Sequence, residues 1–268
     1  MGIIGVLLQQ VKFLFILLTR LEKGLTVSFE EYNRLLEKQN VIPNWNVSEE
    51  FFWTLGWKII KENGRLSVRN AQNELMLPRV GDTGVEREPR ETVYSDFPSS
   101  GGVNKRHALG YNYIYDPKSF LDLGGKEKKS FRKNVESFEK ESSSIVYAQL
   151  TSKDTFSGLE KDPQILQYFD CIGPNQCFGL WVDKILIGAN LWDENYKYTN
   201  FRFSIIPRRG RFSRFRFAKD YLRLQFFTKN AISIGKLVND GGDDDSVKLR
   251  RYKMKLGPVE RHIIYSWS

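Results

Sequence analysis

Cysteine and histidine are scarce in this chain, with two of each among 268 residues. Cys171 and Cys177, spaced C-x5-C, and His107 and His262 fall short of the four Cys/His ligands of a structural zinc site, so no metal is expected. A disulfide across so short a loop would need an oxidising compartment, and two buried or half-buried thiols are the expectation. No family-type signature surrounds either cysteine, which argues against a Cys/His nucleophile pair. Long unbroken apolar runs are missing too. The nearest approach is residues 1–18, MGIIGVLLQQVKFLFILL, broken by Gln9, Gln10 and Lys12. It is short for a membrane span and charged near its middle. No basic region precedes it and no small-residue cleavage site follows, against a signal peptide. Val6 stands where a myristoylation motif after Gly2 needs Ser or Thr. The run reads as an interfacial anchor at a membrane surface, a packed N-terminal helix or a start assigned too far upstream, the last two preferred.

Acidic charge is in deficit. Forty-one basic residues against 32 acidic ones leave +9. That balance favours an anionic partner: nucleic acid, a nucleotide-bearing donor or an anionic membrane surface. An apolar content of 41% with 27% charged residues excludes wholesale disorder. The length allows one large domain or two of roughly 130 residues.

What is present in excess is arginine, concentrated in residues 197–217, KYTNFRFSIIPRRGRFSRFRF. Arg202, Arg208, Arg209, Arg211, Arg214 and Arg216 follow one another with no acidic residue between them. The stretch reads as a strand, a basic loop around Gly210, and a helix beginning near Ser213. Such a junction aims backbone N–H groups and guanidinium charge at one spot, which suits a phosphate-rich ligand. A solvated basic surface is the competing reading.

Residues 28–39 predict a helix, from the Ser28/Glu31 capping pattern and the spacing of Tyr32, Leu35 and Leu36. FFWTLGWKII (51–60) and RLSVR (65–69) predict two strands about the Glu62-Asn63-Gly64 turn. Residues 81–109, polar and without periodicity, predict a linker loop. Beyond it, strands are expected at 111–115, 144–150, 177–182, 185–192, 198–206, 236–238 and 262–267. Helices are expected at 125–141, 159–169, 213–227 and 246–255. The order argues for a mixed sheet with helices on both faces.

Two segments carry a resemblance. In YNYIYDPKSFLDLGGKEKKSFRKNVESFEK an aromatic strand precedes a helix reading roughly K-x-R-N-x-x-x-x-F. The match falls on Tyr113, Tyr115, Arg132, Asn134 and Phe138, with Lys133 as an extra residue between the Arg and the Asn. In KLVNDGGDDDSVKLRRYKMKLGP a strand ends in Asn239 and Asp240, and a helix carries Leu249, Arg250 and Lys253 before Pro258. Both resemble the phosphatidylglycerol lysyltransferase C-terminal-domain family, related to the Fem peptidyltransferases and, more broadly, to GNAT acyltransferases. The resemblance covers about residues 111–267. It implies an α/β (α+β) fold with a GNAT-like mixed, mostly antiparallel sheet flanked by helices. It also implies an apolar segment (1–24), a degenerate N-terminal GNAT-like half with its linker (25–109) and a C-terminal GNAT-like domain (110–268).

The activity implied is transfer of an acyl or aminoacyl group from acyl-CoA or aminoacyl-tRNA to an amine or hydroxyl, in a cytoplasmic protein or one peripheral to the inner membrane surface. No tightly bound cofactor is expected. The donor would lie on Arg208, Arg209, Gly210, Arg211 and Ser213. The GNAT pyrophosphate loop runs Arg/Gln-x-x-Gly-x-Gly/Ala, and here Pro207 and Phe212 replace its first and last positions. Bulk at Phe212 disfavours a tightly held pyrophosphate and suits a longer polyanion such as a tRNA acceptor stem. Phe201, Phe203, Phe212, Phe215 and Phe217 form either a stacking face for an unpaired 3′ end or, on their spacing, core.

Substrate would meet Tyr115, Arg132, Asn134, Asn239, Arg250 and Lys253. Asp240 and Tyr265 are the candidates for the acceptor's proton, with Asp193 or Glu194 acting through water. A nucleic-acid-binding module without turnover and a membrane-associated head-group transferase stand as alternatives. The acceptor and the oligomeric state stay open.

Overall fold

The computed structural model describes residues 28–39, 47–62, 65–73, 75–81, 84–86, 106–207, 215, 217–243 and 246–267. Two sheets organise them. In the first, β1 (Lys58–Glu62), β2 (Arg65–Arg69), β3 (Leu75–Gly81) and β4 (Gly84–Glu86) form an antiparallel meander. Helix α1 (Ser28–Lys38) sits over it. Tyr32, Leu35 and Leu36 recur at helical spacing and are buried with Leu66, Val68, Leu77 and Val80.

Helix α2 (Glu49–Leu55) is a correction, because residues 51–55 are predicted as strand. Ser48 caps it, accepting a hydrogen bond from the Phe51 N–H at 3.2 Å, and Glu49 and Glu50 lie in its first turn. Gly56 at φ 67° ends it in a left-handed cap, with the Trp57 N–H donating back to the Phe52 carbonyl. These end signals overrule the strand preference of the Phe-Phe-Trp run.

The second sheet has the strand order β11-β5-β10-β9-β8-β7-β6. Its members are β5 (Arg106–Tyr115), β6 (Ile145–Gln149), β7 (Cys177–Val182), β8 (Ile185–Glu194), β9 (Tyr198–Ile205), β10 (Leu237–Asn239) and β11 (Glu260–Trp267). Every neighbouring pair is antiparallel except β9 with β10. This is the mixed, mostly antiparallel sheet flanked by helices that the sequence predicts. Strands occupy both ends of the predicted 81–109 linker, whose middle, 87–105, lies outside the described residues.

Helix α3 (Lys129–Glu141) buries Phe131, Val135 and Phe138 against this sheet. The helix predicted over 159–169 is α5 (Pro163–Cys171), and a short helix not predicted, α4 (Lys153–Ser157), precedes it. Ser152 and Asp162 cap them separately, and Pro163 opens α5 where no N–H is needed. No disulfide joins Cys171 and Cys177. Asp183 and Lys184 adopt φ 51° and 64°, as a type I′ turn between β7 and β8 requires.

Helix α6 (Ala218–Gln225) runs into a π-helical stretch (Phe226–Ala231) and a final α-turn (Ile232–Ile234). Successive α-helical residues point about 100° apart. The wider π-turn lets the adjacent Phe226 and Phe227 both face inward. Phe226 stacks on Phe201 at 4.4 Å and Phe227 on Phe120 at 3.9 Å. Helix α7 (Val247–Lys255) follows β10 and is capped by Ser246.

Candidate functional site

Strands β9 and β10 pair in parallel at Leu237↔Tyr198, Val238↔Thr199 and Asn239↔Asn200, and there β10 ends. Strand β9 runs on to Ile205, held from its other side by β8. The chain beyond β10 leans away towards β5: the Asp240 N–H donates to the Tyr113 carbonyl at 3.0 Å, and the Tyr113 N–H to the Gly241 carbonyl at 3.3 Å. Past Asn200, no strand among the described residues pairs with β9 on its β10 side.

That turn is tied down by charge. The Lys253 ammonium is buried and donates to the carbonyls of Asp240 (2.5 Å), Gly241 (3.0 Å) and Gly242 (2.7 Å), with the Asp240 carboxylate 3.6 Å away. Arg223 on α6 donates from Nη1 to Asp240 Oδ2 at 2.6 Å. Burial pulls the Arg223 pKa down, but the Asp240 carboxylate together with Tyr252 and Tyr115 outweighs this and the net shift is upward. Its guanidinium lies over the rings of Phe201 and Tyr252.

Two further layers surround this pair. Tyr252 donates to Asp220 Oδ1 and Asn134 to Asp220 Oδ2, each at 2.7 Å, which links α3, α6 and α7. Tyr115 donates to the Lys253 carbonyl at 2.9 Å. On the outer side Tyr113 donates to Asp243 at 2.7 Å and Arg250 to the same oxygen at 2.8 Å. The Asn239 Oδ1 accepts from the Gly241 N–H at 3.0 Å. Arg223 Nε and Asn239 Nδ2, both beside Asp240, are buried donors without a hydrogen-bond partner among the described residues.

The substrate set read from sequence is therefore largely brought together: Tyr115, Asn134, Asn239, Arg250 and Lys253 all join the framework around Asp240. Arg132 stands apart. It donates to the Leu123 carbonyl and lies 4.0 Å from Glu136 on its own helix. Arg208, Arg209, Gly210, Arg211, Phe212 and Ser213 lie outside the described residues, as does the side chain of Tyr265. The Tyr265 backbone pairs with Ala108 at a register shift in β11.

Arg202 needs correction. Leu191 pairs with Phe203 and Trp192 with Phe201, so Arg202 is the extra residue of a β-bulge. Phe201 packs on the α6 side against Phe226. Arg202 turns to the other face, over Phe51 at 4.4 Å, and away from any loop polyanion. There it meets Asp193, which is fully buried: Arg202 Nε to Oδ2 at 2.5 Å and Nη2 to Oδ1 at 3.0 Å. Ser48 and Tyr168 donate to Asp193 Oδ2 at 2.7 and 2.8 Å, and Asn200 to Oδ1 at 2.8 Å. Asp193 is thus enclosed, far from a water relay, and Glu194 is held by Lys236 at 2.9 Å. Phe201 and Phe215 are core residues, and Phe203 and Phe217 pack against core clusters, which overturns the stacking face for these four.

Arg223, Asp220 and Tyr252 escaped the sequence reading. For Asp220 and Arg223 the one signal is that they flank Tyr221 and Leu222 on a helix that packs inward.

Burial raises the hydroxyl pKa of Tyr115, Tyr147, Tyr168 and Tyr252 well above the usual tyrosine value. With the folded value above the unfolded one, their contribution to stability is complete below pH about 10 and falls as pH rises further. In an alkaline titration, phenolate absorbance from these residues is expected to appear in step with loss of the fold. Phenolate growth that ran to completion in a still-folded protein would contradict this.

No family model and no curated protein matches the chain. Solved structures do. A conserved protein of unknown function from Bacteroides thetaiotaomicron superposes with a TM-score of 0.61 at 11% identity, over 90% of this chain and 96% of that one. L-PGS from Bacillus licheniformis gives 0.60 at 12% identity, over 89% and 90%. The C-terminal domain of a protein assigned as lysylphosphatidylglycerol synthetase in Agrobacterium fabrum gives 0.58 at 12%, over 90% and 92%. The chain thus has the fold of the lysylphosphatidylglycerol synthetase C-terminal domain across nine-tenths of its length.

Proposed function

We propose that this chain is a transferase that moves an activated aminoacyl or acyl group onto an amine or hydroxyl acceptor, with aminoacyl-tRNA favoured over acyl-CoA as donor. One observation carries the reading: β9 extends past its last pairing with β10, Asn239↔Asn200, and so offers main-chain groups along a cleft. Main-chain and side-chain donors fixed in advance of reaction can polarise an ester carbonyl. Arg223 Nε and Asn239 Nδ2 add two buried donors near the cleft. The bulk of Phe212, and the fold shared with L-PGS and with the C-terminal domain of a protein assigned as lysylphosphatidylglycerol synthetase, favour the aminoacyl ester.

In the transfer, the acceptor's nitrogen or oxygen bonds to the carbonyl carbon and the ester bond to the ribose oxygen breaks. The acceptor's proton ends on that leaving oxygen, so the step balances with no net base consumed. The protein's contribution is alignment and carbonyl polarisation. Asp240 holds Arg223 in place, and Tyr265 is the remaining candidate to relay the proton.

The alternative is a binding module without turnover. It draws support from Asp193, Asp220 and Asp240, which are all committed to hydrogen bonds or ion pairs. Binding of aminoacylated tRNA, uncharged tRNA and acetyl-CoA at two salt concentrations separates the readings. Preference for the charged tRNA, weakened by Arg209→Gln, is the expected result. Tight acetyl-CoA binding would overturn the donor assignment. Equal and steeply salt-sensitive binding of both tRNAs would favour the module.

A further inference from the structure

The outermost strand of a sheet is where a further strand can add, and one of the four outer strands here differs from the rest. Strand β1 carries Lys58, Lys61 and Glu62, and the short β4 ends in Glu86. Strand β11 carries Glu260, Arg261 and His262, with a register shift between Ile264 and Tyr265. Charge, brevity and bulges of this kind keep an edge from pairing. Strand β6, at the other end of the seven-stranded sheet, reads IVYAQ. It has no charge, no proline and no register shift against β7.

The direction of its main-chain groups follows from the ladder. Ile145 lies opposite Val182 and Gln149 opposite Phe178. Just beyond these, the Leu150 N–H donates to the Cys177 carbonyl and the Asp183 N–H to the Ser144 carbonyl, each at 3.0 Å. Hydrogen-bonded pairs alternate along an antiparallel ladder. Val146 and Ala148 therefore turn their N–H and C=O towards β7, and Ile145, Tyr147 and Gln149 turn theirs outwards. The outward residues are held from within. Ile145 packs on the core, and the Tyr147 hydroxyl donates to Asn230 Oδ1 at 2.7 Å. Val146, on the opposite face of the strand, is 51% exposed.

We propose that β6 pairs antiparallel with β6 of a second copy of this chain, about a two-fold axis at Tyr147. The strand is self-complementary in that register. Tyr147 meets Tyr147 of the second copy as a hydrogen-bonded pair, Ile145 comes opposite Gln149, and Val146 comes opposite Ala148. No charge meets a like charge within the strand. The flanks match as well: α3 ends in Lys140-Glu141 and α4 begins with Lys153-Asp154, at equal distances in sequence from Tyr147. The two-fold axis therefore sets Glu141 of one copy on the side of Lys153 of the other. An unrelated peptide would satisfy the outward main-chain groups, but a second copy also supplies the reversed charge order at both ends. The proposal does not depend on the transferase reading, since β7 and β8 separate β6 from β9.

Sedimentation equilibrium of the full chain over a range of concentrations is the test. The intact chain is expected to form a dimer that dissociates on dilution. Val146→Lys with Ala148→Lys places like charges directly opposite each other twice, and is expected to weaken the dimer about tenfold. Val146→Glu with Ala148→Lys sets opposite charges in the same places and is expected to restore it. The second variant shares Ala148→Lys with the first, so it also reports whether the fold accepts that change. Ile145→Pro removes one outward N–H and none of the bonds to β7, and is expected to weaken the dimer too. A chain that stays monomeric at every concentration overturns the proposal, whether the edge is bare or filled by another segment of the same chain. So does a dimer that the double-lysine variant leaves intact, or that the Glu/Lys variant fails to restore.

Discussion

Replacing Arg202 by methionine is expected to destabilise the fold by about 3–5 kcal/mol, read as a shift in the urea midpoint with an unchanged slope. Both side chains of the Arg202–Asp193 pair are fully buried. With the guanidinium gone, the carboxylate keeps only neutral donors: Ser48, Tyr168 and Asn200. A lone buried charge is far more unfavourable than a buried neutral group of the same shape. Adding Asp193→Asn to Arg202→Met is therefore expected to recover much of the loss, a non-additivity that only a direct interaction produces. Because Ser48 both caps α2 and bonds Asp193 and Arg202, the single substitution also loosens the start of that helix. A midpoint shift worth less than about 1 kcal/mol would show that the pair contributes no more than a surface salt bridge.

Lys253→Met is expected to have an effect of similar size, about 3–5 kcal/mol, for a different reason. Methionine retains most of the aliphatic stem and removes the ammonium, leaving the carbonyls of Asp240, Gly241 and Gly242 without the donor that gathers them. Asp240 then has Arg223 alone. Arginine is a poor replacement, since a planar fork cannot serve three converging oxygens as a tetrahedral ammonium does. Amide exchange at residues 239–243 is expected to rise more than elsewhere. Near-native stability with unchanged exchange at that turn would remove Lys253 from its assigned place in the framework.

The elements written in local chemistry were legible. The Ser28/Glu31 start of α1, the tight Asp183-Lys184 turn and the Ser246 start of α7 each carry their signal within a few residues. Phe51–Leu55 was misread because aromatic content was weighed above the Ser48 and Gly56 end signals. Of the residues that carry the resemblance, Tyr115, Asn134, Asn239, Arg250 and Lys253 join one framework around Asp240 and Arg132 stays outside it, and nothing in the sequence shows that Lys253 faces inward. The surroundings of Arg202 could not be read from its neighbours. Strand alternation alone puts Arg202 opposite Phe201, and the extra residue in β9 then leaves Phe203 on the same face as Arg202, which no pattern of charge along the chain reveals. Asp220 and Arg223 were hidden for a related reason. On an isolated helix such residues belong to solvent, and only tertiary packing brings Asn134, Tyr252 and Asp240 to meet them.

The position of β10 has a consequence for biosynthesis. Three residues, Leu237 to Asn239, form the seam between β5 and the β6–β9 meander, and β11 completes the far edge last. Strand β5 leaves the ribosome long before either of its partners exists. At about 5–20 residues per second, it waits on the order of ten seconds with both edges bare. A nascent chain in that interval presents bare strand edges to any extended segment that meets it, and non-local pairing of this kind folds slowly.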